Sequence, residues 1–203
     1  MPNQFQLKEI FKDIDQYNSF DPNQEVYQGR EFPREQLYGV RMTEKLNHFQ
    51  PEAPIPVQIA ARGQHVGRWE IPRQSYPMNK VGYFQWRNEL KVYHSKILED
   101  ILVKHNADND LIERVKYLIQ KKNLKNDPDT QTLEDVICLV FLEYYLQEFA
   151  GKHPDEKVID ILTKTWRKMS EKAHEAALKI SYNEKLIPLI ERFVGTLHNA
   201  RNK

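Results

Sequence analysis

The side chains best equipped for chemistry gather between Ala60 and Arg73, in AARGQHVGRWEIPR. The stretch begins as the end of an apolar helix, Val57-Gln58-Ile59-Ala60-Ala61. It then adds Arg62, Gln64, His65, Arg68, Trp69, Glu70 and Arg73, groups that a core excludes unless they are paired. If the helix continues through Trp69, then Arg62, His65 and Trp69 share one face at i, i+3 and i+7, with Gln64 and Arg68 beside them. Pro72 stops it, because proline lacks an N–H and disfavours helix at Ile71. An imidazole can ligate a metal or act as general acid or base near neutral pH. Guanidinium groups can neutralise phosphate oxygens. A hydrogen-bonded surface histidine is the plain account of His65; the company of Arg62, Arg68 and Trp69 argues for a site.

Other candidates stand on other elements. His94 shares a polar stripe with Arg87 and Lys91 at helical spacing, which is either a solvated face or a partner for His65. Glu143 is a lone carboxylate in an apolar run, and a buried charge needs a partner. It is expected to be buried, either salt-bridged or acting as base or metal ligand. Asp135 competes for that role but is explained as a cap. Lys121 and Lys122 could bind phosphate, although cations at a helix C-terminus also answer its dipole. Cys138 sits in an apolar run and reads as core.

Those residues need elements to position them. Phe5, Ile10, Phe11 and Ile14 mark an amphipathic first helix. A polar stretch with a turn at Asp21-Pro22-Asn23 leads to a helix from Pro33 to about Phe49, with Pro51, Pro54 and Pro56 after it. Lys80–Lys104 reads as a long helix with Phe84, Leu90, Ile97, Leu98 and Ile101 inward, and Asp110–Lys122 as another. Thr132 is placed as the cap of a central buried helix that runs through Phe149. Two more helices follow, over about 155–180, with a break near Ser170, and 184–199. Alternation of the β type is absent. The expectation is an all-α, single domain over 1–203, of about eight helices.

Composition narrows the function classes. The 203 residues carry 30 Lys+Arg against 29 Asp+Glu, a formal charge of +1, so no global field draws nucleic acid or membrane. One cysteine excludes an internal disulfide and fits a reducing compartment. No apolar run is long enough to span a bilayer, and no secretory signal is evident. The expected location is the cytoplasm. P-loop, G-x-G-x-x-G, H-E-x-x-H and G-x-S-x-G patterns are missing.

Leu37-Tyr38 with Arg41-Met42-Thr43, AARGQHVGRWEIPR, SYPM, LIQKKNLKNDPDTQTLEDV, VFLEYY and KTWRKMSEKAHEAAL together resemble the uncharacterised bacterial and fungal family called domain of unknown function four-two-zero-two. The resemblance covers most of the chain and implies an all-α fold. Some fungal members carry a glutamyl-tRNA-synthetase-like label, but no Rossmann-like pattern or synthetase signature occurs here. The helix order is also similar to the HD-domain phosphohydrolases. In that comparison the name-giving pair falls on Gln64 and His65, so the pattern is broken. The first ligand falls near Tyr38, the later histidine on His94 and the final acid on Glu143.

These readings lead to three function hypotheses. The first is a metal-assisted phosphohydrolase acting on a nucleotide or other small phosphoester. In it His65, His94 and Glu143 hold one divalent ion (Zn, Mn or Fe), His65 and Glu143 are catalytic, and Arg62, Arg68, Trp69, Lys121 and Lys122 bind substrate. The second is a metal-free module for phosphate, a nucleotide or an RNA end, with stacking on Trp69. The third is a protein-interaction scaffold without catalysis.

Overall fold

The computed structural model describes residues 4–201. It forms two compact units, the first ending at Leu133 and the second beginning at Glu134. Ten α-helices and one hairpin are present among the described residues, so the all-α expectation holds with more, shorter helices than the eight read from periodicity.

The first unit contains α1 (Gln4–Asn18), β1 (Gln24–Tyr27), β2 (Arg30–Pro33), α2 (Arg34–Phe49), α3 (Ile55–Arg62), α4 (Lys80–Lys104) and α5 (Asn109–Ile119). Helix α3 is central and packs on α1, α2 and α5, while α4 packs on α5 and α1. The sequence permits this because α3 is apolar and compact: Pro56, Val57, Ile59, Ala60 and Ala61 are all buried. Around them Ile10, Ile14, Met42, Leu46, Leu98, Leu102 and Leu118 complete the core, each side chain contributing about 1.5–3 kcal/mol by leaving water. Helix α2 approaches α3 closely at Gly39, where a Cβ would lie 2.8 Å from the Arg62 carbonyl oxygen. Ile10 and Ile14 of α1 are core as expected; the Phe5 side chain lies outside the described residues.

The hairpin corrects the expectation of no β structure. Strands β1 and β2 pair antiparallel, from Gln24↔Pro33 to Tyr27↔Arg30. Gln28 and Gly29 turn between them at φ 50° and 75°, as a two-residue hairpin turn requires. Each strand has four residues and none is fully buried, so no apolar alternation was needed to form it.

Helix α4 has the ends the sequence suggests. Asn79 caps it, its Oδ1 accepting the Gly82 amide at 2.9 Å. Its inward face differs at Phe84, which is 53 % exposed, while the buried row runs through Gly82, Trp86 and Leu90. Phe84 stands two residues before Trp86, on roughly the opposite side of a helix. Trp86 is held by its indole N–H donating to the Ile71 carbonyl at 2.8 Å. His94 also moves inward, at 3 % exposure, rather than lying on a solvated stripe.

The second unit continues α6 (Pro128–Val140) into a π-helical turn over Phe141–Tyr145 and then α7 (Leu146–Ala150), α8 (Asp155–Trp166), α9 (Glu171–Ala177) and α10 (Ile187–Arg201). The expected helix is thus interrupted by the π turn. It also begins one turn before Thr132. Asp127 Oδ1 accepts the Thr130 amide at 2.8 Å, whereas Thr132 Oγ1 donates to the Pro128 carbonyl. Asp135 instead holds the cap of a different helix: it accepts from the Ser170 amide at 2.8 Å and from the Ser170 hydroxyl. Ser170 in turn caps α9, which accounts for the break read at that residue. Val136, Leu139, Val140, Leu142, Leu146, Val158 and Leu162 are buried, and α10 packs on α8.

Candidate anion-binding site

Helix α3 stops at Arg62, not at Trp69, and the reason is two glycines. A Cβ at Gly63 would sit 2.5 Å from a Leu98 methyl, so the chain there runs directly against α4. Gly67 adopts φ 67° and donates its amide to Asn18 Oδ1 at 3.1 Å. The one-face alignment of Arg62, His65 and Trp69 therefore does not form. His65 projects instead from a turn whose next residue, Val66, is fully buried. Arg68–Glu70 make a short 3₁₀ turn.

Two histidines meet beside this turn. His65 and His94 have ring centroids 6.2 Å apart. His94 Nδ1 lies 2.6 Å from the Val66 carbonyl, to which it donates. His65 stacks on Tyr38 of α2 at 3.9 Å and 12°. Its Nδ1 lies 3.0 Å from Glu35 Oε2, and its Nε2 is 3.4 Å from the Arg68 guanidinium. An arginine can only donate, so His65 Nε2 accepts and its proton sits on Nδ1, toward Glu35. Arg68 also reaches Glu35 Oε1 at 3.6 Å and lies 4.6 Å over the Trp86 ring.

The electrostatics follow from burial and from the number of cations. Burial, and then the charges of Arg68, Arg87, Lys121 and Arg34, hold the His65 imidazole well below its usual range. Burial, then His65, Arg68 and Arg87, do the same to His94 against the Val66 hydrogen bond. Both rings are neutral at pH 7. Burial pushes the Glu35 carboxyl up to about 7, against the pull of Arg68 and Arg34. Arg87, half-buried on α4, makes no hydrogen bond or ion pair among the described residues.

The expected residues divide accordingly. His65, Arg68 and His94 come together, and the charge of Lys121 reaches His65. Arg62 does not join them: it forms a bidentate pair with Asp15, Nε to Oδ1 at 2.7 Å, and reaches Thr43 Oγ1 at 3.3 Å. Trp69 faces Tyr17, 6.0 Å between rings. Lys122 is exposed, with its ammonium 5.9 Å from the Tyr117 ring.

Glu143 belongs to the second unit and is exposed on the π turn, not buried. Its apolar neighbours in sequence face elsewhere on the helix. Glu143→Ala is accordingly expected to change urea-unfolding stability by less than about 0.5 kcal/mol, and a loss of several kcal/mol would overturn that placement. The carboxylate that stands next to His65 is Glu35. No three His, Cys, Asp or Glu side chains are grouped for a metal among the described residues.

Sequence reading missed Glu35 because it resembles an ordinary first-turn acid of α2. The available signal was its position three residues before Tyr38, which puts both on one face.

Residues 8–190 match the family described as "Domain of unknown function (DUF4202)". No curated protein and no solved structure matches the chain. Among the described residues no helix is long and apolar enough to cross a membrane.

Proposed function

The chain belongs to the DUF4202 family, whose description assigns no activity, and we propose from its geometry that the first unit binds a small phosphorylated ligand without a metal ion. One observation carries this: the Arg68 guanidinium lies 4.6 Å over the Trp86 ring and 3.4 Å from His65 Nε2, while Arg87, the residue after Trp86, has no hydrogen bond or ion pair among the described residues. A half-buried guanidinium without a partner, close to a second one, is matched by an anion. Arg87 and Arg68 would contact phosphate oxygens. His65, oriented by Glu35 and Tyr38, would hold Arg68 in place through its Nε2.

The second reading is the metal-assisted phosphohydrolase with Zn, Mn or Fe. What favours it is that both histidines turn Nδ1 toward an acceptor, the orientation that metal-binding histidines take. The donor set fits poorly. The Arg68 guanidinium already occupies the accepting nitrogen of His65, and the surrounding cations repel a dication.

The test is a thermal-shift titration with inorganic phosphate and a nucleotide panel, in chelator and with added Mn²⁺ or Zn²⁺. Phosphate compounds should raise the melting temperature in chelator, and Arg87→Ala should weaken binding about tenfold or more, the worth of one charge-assisted contact. A response that requires metal and is lost in His94→Ala favours the hydrolase instead. No response under any condition rejects both.

A further inference from the structure

Helix α4 carries an exposed aromatic directly beside the anion site. Tyr83, Arg87 and His94 are spaced i, i+4 and i+11, within about 40° of one another around a helix. His94 is the buried end of that row, Arg87 the half-buried middle and Tyr83, 45 % exposed, the outer end. Continuity with the site is direct: the Tyr83 ring is 6.0 Å from Trp86, and Trp86 carries the Arg68 guanidinium at 4.6 Å. Phe84, 53 % exposed, meets Tyr83 edge-on at 5.9 Å and widens the apolar surface.

The strand of chain before this ledge is fixed in place. Arg73 donates to the carbonyls of Tyr76 at 3.1 Å, Pro77 at 2.8 Å and Asn79 at 3.3 Å, and its guanidinium lies 6.0 Å from the Tyr83 ring. The Tyr76 hydroxyl hydrogen-bonds the Glu89 carboxylate of α4, which holds its ionisation above the usual range. At Gly82 a Cβ would lie 2.1 Å from the Pro77 carbonyl oxygen, so only glycine lets the loop close on the helix.

Resting on the anion reading above, we infer that the ligand is a nucleoside monophosphate, its phosphate at Arg87 and Arg68 and its base on the Tyr83–Phe84 ledge. Four residues of helix separate Arg87 from Tyr83, about 6 Å along the axis, a gap that a ribose fills. Every base has a π face, and stacking on an exposed aromatic tolerates any of them. A bare phosphate or an aliphatic phosphoester leaves the ledge in water. A nucleotide covers it and satisfies the charge beside it.

The experiment compares AMP, ribose 5-phosphate and inorganic phosphate by calorimetry on the full chain, with Tyr83→Ala and Tyr83→Phe. AMP should bind about ten- to a hundredfold tighter than ribose 5-phosphate. Tyr83→Ala should remove that advantage and leave inorganic phosphate within about twofold, while Tyr83→Phe keeps it. Equal affinity for AMP and ribose 5-phosphate in the native chain, or an equal loss for all three ligands in Tyr83→Ala, overturns the nucleotide assignment and leaves the phosphate site standing. If none of the three binds, the phosphate site and this assignment fall together. The substitution is at a solvent-facing position, so a circular-dichroism melt close to that of the native chain accompanies the expected result.

Discussion

Arg62→Ala is expected to destabilise the first unit by about 2–3 kcal/mol in urea unfolding. Breaking a fully buried ion pair typically costs about 3–5 kcal/mol, and this pair is partly open, with 12 % and 26 % of the Arg62 and Asp15 side chains exposed. The guanidinium joins three helices: Asp15 is on α1, Thr43 on α2 and Arg62 ends α3. It also lies 5.6 Å from the Phe11 ring. Arg62→Lys cannot span both carboxylate oxygens and should lose about half as much. Asp15→Ala combined with Arg62→Ala should cost less than the two single changes added, since the first removes the charge that the second strands. Phosphate affinity should be unchanged throughout. A loss below about 0.5 kcal/mol would mean the pair contributes nothing.

The second large effect is on acid stability. His65 and His94 are held well below 6.5 in the folded chain, so their stabilising contribution is complete above 6.5 and is lost as pH falls toward their folded values. Between pH 6 and 5 the unfolded chain holds protons on both rings that the folded chain refuses, so stability falls on acidification. Glu35 works in the opposite sense. Its carboxyl is raised to about 7 from 4.5, so its contribution is present below 4.5 and lost as pH rises through 7. With two rings set against one carboxyl, the balance is a net loss of stability on acidification from 6 to 5. Glu35→Gln removes the offset, and its slope should be steeper than that of the native chain. Hydrogen exchange of α3 and α4 amides across this range measures both. A flat profile in the native chain, or an unchanged slope in Glu35→Gln, would contradict the buried neutral pair.

How much of this was legible from the chain varies with the physical cause. Helix α4 was readable at both ends because local features bound it, the Asn79 cap at its start and the stop after Lys104. The overextension of α3 has a tertiary origin. Gly63 looks like a tolerable helix glycine until Leu98 is seen against it, and the left-handed turn at Gly67 is secured by Asn18, far away in sequence. Glu143 was misjudged because apolar neighbours along a chain are not neighbours in space. His65 and Arg68 stood out as candidates because cations and imidazoles stand together on one short stretch. Glu35 did not, since only the approach of α2 to the turn after α3 makes it the partner of His65. The hairpin left no periodic trace, and its one signal was glycine at the second turn position.

The π turn at Phe141–Tyr145 bears on how this chain and its family tolerate changes in length. A π ring closes over five residues where an α ring closes over four, so the turn stores one residue more than a straight helix would need. Removing a single residue there leaves a plain helix joining α6 to α7, with the flanking segments still facing as they do. Removing one from the uninterrupted part of α6 would instead rotate everything after it by about 100°, carrying buried side chains such as Leu142 and Leu146 out of the core. A one-residue gap between family members is therefore expected at the π turn and not in the helix before it.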